Sequence, residues 1–286
     1  MVVNKRSIAE WWSKHPQHYL GWNAPLKNDD ATFSEYIEKS DEALRRIHSD
    51  LHDGNLFFGK LIPYPQLANK KVLEVGCGLG AVSEALAREG ASVTALDLSE
   101  FNFRTTQWRM RTNSLHGETI QGDAEALPFQ ANTFDFVWSW GVIHHTPRTE
   151  KAVSEIYRVL APGGSTCVMV YHRHSIYAYL NVLLRYGFLK LGFLTSSPDQ
   201  LLTRYSDGKK IGGSPLTQYF SKSQIRHMFR MFSHVSVWIH GYRAGLTNIF
   251  PPQLGIRRIA NGLFSENLVR FLMSHYGHFL IIQAVK

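Results

Sequence analysis

The sequence predicts an α/β fold, a doubly wound parallel sheet with helices on both faces. Three observations predict it. From Lys70 to Tyr171 short apolar runs alternate with helical patterns, as in successive βαβ units. The first run, "VLEVGCGLGA" (72–81), passes into a glycine-rich turn and then a helix. The chain has 286 residues, 44% hydrophobic and 19% charged, enough for one large core with insertions and for at most two domains.

Residues from about Ile8 to Tyr64 are aromatic-rich and mostly helical in pattern. Phe33, Ile37, Ala43, Leu44, Ile47 and Leu51 recur at helical spacing until Asp53-Gly54 interrupts them. "KVLEVG" reads as a buried strand and "AVSEALAREG" as a helix that Gly90 is suited to end. "SVTALD" is the second strand. "SEFNFRTTQWRMRTN" is a helix opened by Ser99, with Glu100 in its first turn. "ETIQGD" is a third, weaker strand and "TFDFVWSWG" a fourth. "TEKAVSEIYRVLAPGG" is a helix that turns tightly into the fifth strand, "STCVMVY". After Tyr171 the alternation stops, and an aromatic, aliphatic helix leads into a stretch rich in Gly, Pro and Ser. "SKSQIRHMFRMF" is a capped helix, "VSVWIH" (235–240) a strand, residues 241–276 a second irregular and helical segment, and "GHFLIIQAVK" a closing strand. The expected organisation is one domain in four parts: a helical lid segment over 1–69, a core over 70–171, a lid insertion over 172–220, and the rest of the core with a second insertion over 221–286.

Parallel sheets bind ligands at the carboxyl ends of their strands, which puts Gly76 to Gly80, Asp97, Asp123 and Trp140 to His145 on one rim. Read as Gly76-x-Gly78-x-x-Ala81, the turn meets a dinucleotide fingerprint. Read as Glu74-x-Gly76-x-Gly78-x-Gly80, it meets that of S-adenosylmethionine (SAM). In both readings glycine lets the backbone turn sharply and approach the ligand, and Asp97 can accept from ribose hydroxyls. Glu74 favours SAM, because an acid there can reach an ammonium group but would be repelled by a pyrophosphate. Asp123, at the end of the third strand, can accept from an amino group such as adenine N6; a helix N-cap is its other reading.

"VLEVGCGLG", "VTALDLSE", "QGDAEALPFQANTFDFVWSWGVIHHTP" and "AVSEIYRVLAPGG" resemble, in order and spacing, the successive motifs of class I SAM-dependent methyltransferases. The resemblance covers about residues 70–171 and is nearest in pattern to the small-molecule methyltransferases of ubiquinone and menaquinone biosynthesis. It implies a Rossmann-like, doubly wound sheet of seven strands whose last strand is antiparallel and inserted beside the fifth. It also implies a lid built from the N-terminal helices and the insertions after strand five, SAM as methyl donor, and S-adenosylhomocysteine as product. By position, Gly76, Gly78 and Gly80 would pack against the methionine part and the ribose. Asp97 would bind the ribose hydroxyls, with Leu98 against the adenine, while Asp123 and Ala124 hold the adenine edge. Trp140 falls where the family contacts the methionine moiety, and His145 near the transferred methyl; core packing is the alternative for both.

Methyl transfer from a sulfonium is an in-line displacement with an excellent leaving group, so the protein mainly aligns the nucleophile and excludes water. A general base is needed only for a hydroxyl or an ammonium nucleophile. His144 and His145 are the candidates, since histidine titrates near neutrality. Trp12, Tyr19, Tyr171, Tyr205 and Tyr219 are candidate substrate contacts, tyrosine joining an apolar body to a polar tip; packing within the lid is their other reading. His172-x-His174 lacks a nearby Cys, Asp or Glu to complete a ligand set, so no metal is expected.

The two cysteines, Cys77 and Cys167, make no disulfide framework, and a cytoplasmic setting is expected. The first twenty residues lack the apolar core of a signal peptide, and the longest apolar run (175–194) is interrupted by Arg185 and Lys190. The net charge of +8 could attract nucleic acid or an anionic membrane, yet no basic stripe stands out. The leading reading is methylation of a small-molecule acceptor, a metabolite or natural-product-like compound, at N, O, C or S. RNA is disfavoured, because "SWGVIHH" stands where base amino-methyltransferases carry Asn/Asp-Pro-Pro-aromatic. Two alternatives stay open. One is a membrane-associated lipid or quinone acceptor, with "YAYLNVLLRYGFLKLGFL" as an interfacial helix. The other is a SAM-consuming enzyme of the same fold that expels methylthioadenosine by intramolecular attack.

Overall fold

The carboxyl ends of five parallel strands face one way, because crossovers that are helical except for the irregular link 122–133 join them. The structure, a computed structural model, describes residues 4–16, 30–242 and 265–286. Tyr19, and most of the second irregular segment, lie outside the described residues. The strands are β1 (Lys71–Val75), β2 (Ser92–Asp97), β3 (Gly117–Gln121), β4 (Phe134–Trp140), β5 (Leu160–His172), β6 (Tyr219–Phe220), β7 (His234–His240) and β8 (Phe279–Val285). Their order is β3-β2-β1-β4-β5-β8-β7, and β6 pairs in parallel with the end of β5. The antiparallel strand β8 lies between β5 and β7, as expected for the closing strand. Among the described residues, the two-residue β6 is the one strand beyond the seven expected.

The helices are α1 (Lys5–Lys14), α2 (Asp30–Ile47), α3 (Tyr64–Leu67), α4 (Ala81–Arg88), α5 (Glu100–Thr112), α6 (Thr149–Val159), α7 (Pro198–Tyr205), α8 (Lys222–Met228) and α9 (Glu266–Tyr276). A π-wound helix spans Tyr177–Phe188. The side chains of β1 alternate between two cores. Leu73 and Val75 join Val153, Ile156 and Phe229 on one face. Val72 joins Val82, Leu86, Phe58 and Trp138 on the other. Burial on both faces explains why β1 reads as a continuous apolar run. Local chemistry sets the helix starts. Ser99 accepts from the Asn102 amide to open α5, and Ser221 and Gln224 form a reciprocal capping box on α8.

Strand order reverses between β1 and β4, and the crevice at that point is where this architecture holds ligands. Arg109 of α5 ties α2 to its rim. Its buried guanidinium pairs with Asp41 of α2 and Glu84 of α4, and donates to the Leu79 carbonyl at 3.3 Å.

Candidate active site

A cavity of about 370 Å³ opens at the carboxyl ends of β1, β2 and β4. Its wall contains Glu74, Gly76, Gly78, Asp97, Leu98, Asp123, Ala124, Trp140 and His145, every cofactor residue expected from the sequence except Gly80. Gly80 instead opens α4 in a left-handed conformation (φ +81°), and a Cβ there would sit 2.8 Å from Thr106 Oγ1. Its missing side chain serves the packing of α5 on the turn.

Asp97 is buried at the end of β2 and holds the glycine turn in place. Its Oδ2 accepts from the Gly78 amide at 3.0 Å, and its Oδ1 from the Ser99 amide at 2.8 Å and Asn102 Nδ2 at 3.3 Å. Burial nevertheless raises this carboxyl above the usual range. Gly78 is left-handed (φ +53°), and a Cβ on it would meet nothing within 4 Å, so it presents bare backbone to open space. Gly76 (φ +79°) fits because its missing Cβ leaves room for the Val142 side chain. Glu74 is buried beside it. Ser83 Oγ donates to its carboxylate, yet burial, reinforced by Asp97, pushes its pKa up to about 8. Cys77 is buried among these groups and its thiol is pushed well up, so it is a filler and a poor nucleophile.

The N-terminal helix α1 closes the cavity on the side of Asp123. Lys5 pairs with Asp123, and with Glu125 at 2.7 Å. Asp123 Oδ1 accepts from the Glu125 amide at 2.9 Å, so the carboxylate braces a turn rather than capping a helix. Trp12, also on α1, lines the cavity with its ring centre 4.9 Å from that of His145.

His145 is buried at the end of the 3₁₀ turn Ile143–His145. Its Nδ1 lies 2.7 Å from the Leu216 carbonyl. A carbonyl only accepts, so Nδ1 carries the proton and Nε2 keeps its lone pair. Nε2 stands 3.7 Å from Asp207 Oδ2. Asp207 Oδ1 in turn accepts from the Tyr171 hydroxyl at 2.9 Å, and all three residues line the cavity. Burial lowers the histidine pKa below its usual 6.5, against the opposing charge of Asp207. Burial also raises the Asp207 carboxyl.

The neighbouring His144 is not brought to the cavity wall. It is fully buried against Tyr171, ring centres 4.1 Å apart, and neither ring nitrogen has a hydrogen-bond partner among the described residues. Burial drives its pKa well down, so it stays neutral. Tyr205 stacks on Tyr186 with centres 3.8 Å apart, and Tyr219 packs behind Tyr171; neither lines the cavity. Of the candidate substrate contacts, Trp12 and Tyr171 do. His172 faces the Gly277 carbonyl, whereas His174 lies at the surface beside the Tyr179 hydroxyl. Among the described residues, the group with a metal-ligand make-up is instead His144, His145 and Asp207, whose donor atoms lie within 4.8 Å of one another. Asp207 and Lys5 were not foreseen. Asp207 lies in "RYSDG", which the sequence singles out within the lid insertion without giving the carboxylate a role. Lys5 carries no motif at all.

Residues 73–168 match the family model described as a methyltransferase domain. The chain is 30% identical over 231 residues to a phthiotriol/phenolphthiotriol dimycocerosates methyltransferase of Mycobacterium leprae, covering 78% of this chain and 79% of the relative. It is 35% identical over 147 residues to a fatty-acid O-methyltransferase of Mycolicibacterium smegmatis, covering 49% and 52% of the two chains. It is also 35% identical over 119 residues to a ubiquinone biosynthesis O-methyltransferase of Pseudomonas entomophila, covering 41% and 51%. The match thus spans about half the length of each of these last two relatives. A SAM-dependent methyltransferase structure from Methanosarcina mazei shares the fold, with a TM-score of 0.51, 17% identity, and 76% and 92% of the two chains covered.

Proposed function

The chain belongs to the class I SAM-dependent methyltransferases, and we propose that it methylates a hydroxyl group on an apolar, lipid-like small molecule. The observation that carries this reading is the pair His145–Asp207 in the wall of a cavity that also presents Ile8, Leu44, Trp138 and Phe279, alongside the ionisable Lys5, Asp41, Glu74, Asp97 and Asp123. A neutral imidazole with its Nε2 lone pair free of a proton is a base, and only a protonated nucleophile calls for one.

The chain uses SAM, and the residues of the cavity suit it. Glu74 would meet its ammonium, Asp97 its ribose hydroxyls, and the open backbone at Gly78 its close approach. The Trp140 indole N–H is buried without a partner among the described residues, a donor that a bound ligand would satisfy. When bound, SAM supplies a methyl group on a sulfonium, a leaving group that needs no protonation. The chain's own task is then positional and protic. α1 and the segment carrying Asp207 would cover the cavity and exclude water. For an acceptor hydroxyl, His145 Nε2 would take the proton as the oxygen is methylated. Asp207 stabilises the resulting imidazolium, offsetting the burial that disfavours it. The products are a methylated oxygen and S-adenosylhomocysteine.

The relatives' names support an apolar acceptor. They concern phthiotriol dimycocerosates, a fatty acid and ubiquinone biosynthesis, and two are named O-methyltransferases. The test is incubation with methyl-labelled SAM and the organic and aqueous fractions of a cell extract. Label in an organic-soluble product, together with S-adenosylhomocysteine, supports the reading. Label confined to water-soluble products, or methylthioadenosine as the nucleoside product, refutes it.

A further inference from the structure

The π-wound helix Tyr177–Phe188 and the turn after it have the opposite polarity from a soluble surface helix. Their inner face is apolar in the usual way, Ala178 and Val182 packing on Leu201, Leu202 and Tyr219. Their outer face is apolar as well. Leu180 and Leu184 stand exposed one turn apart, and the face continues through Phe188, Leu189, Leu191 and Leu194. Phe188, Leu189 and Leu194 are 69%, 68% and 79% exposed, so most of each apolar surface stays in water and gains little from folding. Contiguous apolar exposure of this kind marks a surface that meets something else.

The charges around it indicate what. Between residues 173 and 198 the chain carries Arg173, Arg185 and Lys190 and no Asp or Glu. Arg173 is paired with Asp199, whereas Arg185 and Lys190 lie against the Tyr186 ring at the base of the apolar face. An apolar face flanked by cations, in a chain of net charge +8, complements an anionic lipid surface. Among the described residues no helix is long and apolar enough to cross a membrane, so the contact would be interfacial. We infer that residues 180–194 dock this protein onto an anionic bilayer, the apolar side chains entering the headgroup boundary and Arg185 and Lys190 meeting lipid phosphates.

The docking face belongs to the same segment that walls the acceptor end of the cavity. Tyr177 donates to the Tyr205 carbonyl at 2.9 Å, two residues before Asp207, and Tyr171 precedes the helix at the end of β5. The surface itself stands independently of which atom is methylated, and its test needs no acceptor.

The test is co-sedimentation of the full chain with vesicles of phosphatidylcholine alone or mixed with phosphatidylglycerol, at low and high salt. The expected result is binding to the phosphatidylglycerol vesicles that weakens with salt. Partitioning should fall at least tenfold in the triple variant Phe188→Ser, Leu189→Ser, Leu194→Ser, while SAM affinity and melting temperature stay at wild-type values. A wild-type chain that remains in the supernatant, or a triple variant that pellets equally well, overturns the inference. So does a wild-type dimer in vesicle-free buffer that the triple substitution disperses, since a second copy would then cover the face.

Discussion

Substituting Glu74 by glutamine should uncouple SAM binding from proton release. With a pKa of about 8 in the ligand-free protein, roughly nine in ten Glu74 side chains are protonated at pH 7. An ammonium placed beside the carboxylate favours the charged form, so binding at pH 7 should expel about 0.9 proton. Between pH 7 and pH 6 the affinity should then weaken about ninefold, because more carboxyl must be deprotonated for each binding event. At about 4 Å and an effective dielectric constant near 20 the ion pair is worth about 4 kcal/mol. Deprotonation at pH 7 costs about 1.4 kcal/mol of that. Glu74→Gln should therefore lose roughly 2–3 kcal/mol of binding and show no pH dependence over this interval. Calorimetric titrations in buffers of different ionisation enthalpy read the proton count directly. Wild-type binding with no proton exchange, or the same exchange in the variant, would refute the assignment of Glu74 to the ammonium. The stability of the ligand-free protein carries the matching sign. Because the folded-state pKa is raised above the ordinary 4.5, stability is fullest below that value and falls as the pH rises toward 8.

Asp97→Ala should weaken SAM binding at least tenfold by calorimetry, about 1.4 kcal/mol, with the loss of support for the Gly78 amide adding to it. Asp207→Asn should lower kcat by tenfold to a hundredfold with SAM affinity unchanged. It should also move the acid limb of the pH–rate profile to lower pH, since the Asp207 charge raises the His145 pKa; an unmoved profile would count against the pair. Arg109→Met strands Asp41 and Glu84 and should cost about 3 kcal/mol in urea unfolding. Chelation of divalent cations should leave methyl transfer intact, because a proton on His145 suffices. Loss of activity restored by added metal would reassign His144, His145 and Asp207 to a cation site.

Most of the fold was legible because its signals are local. The strand β1 announces itself by burial on both faces, and α5 by the serine that caps it. The glycine turn was legible for the same reason: Gly76, Gly78 and Asp97 are set by backbone geometry that a short motif encodes. Gly80 belongs to that motif but answers to Thr106, a packing demand from another helix. The surroundings of Lys5 and of His145–Asp207 were obscure because their contacts span the chain. Lys5 reaches Asp123 across 118 positions, and Asp207 meets His145 only after a helix, a turn and α7 have folded back. As candidate bases His144 and His145 read alike in sequence, and only the resemblance set His145 apart. The 3₁₀ turn places one in the cavity wall and the other behind it.

The claim that the His145–Asp207 pair serves a hydroxyl acceptor is tested most directly by locating the transferred methyl. With carbon-13 methyl-labelled SAM and the acceptor recovered from the organic fraction, the account predicts a carbon resonance typical of a methyl on oxygen, lost in step with activity in Asp207→Asn. A label on carbon, nitrogen or sulfur, formed equally well by that variant, would contradict it.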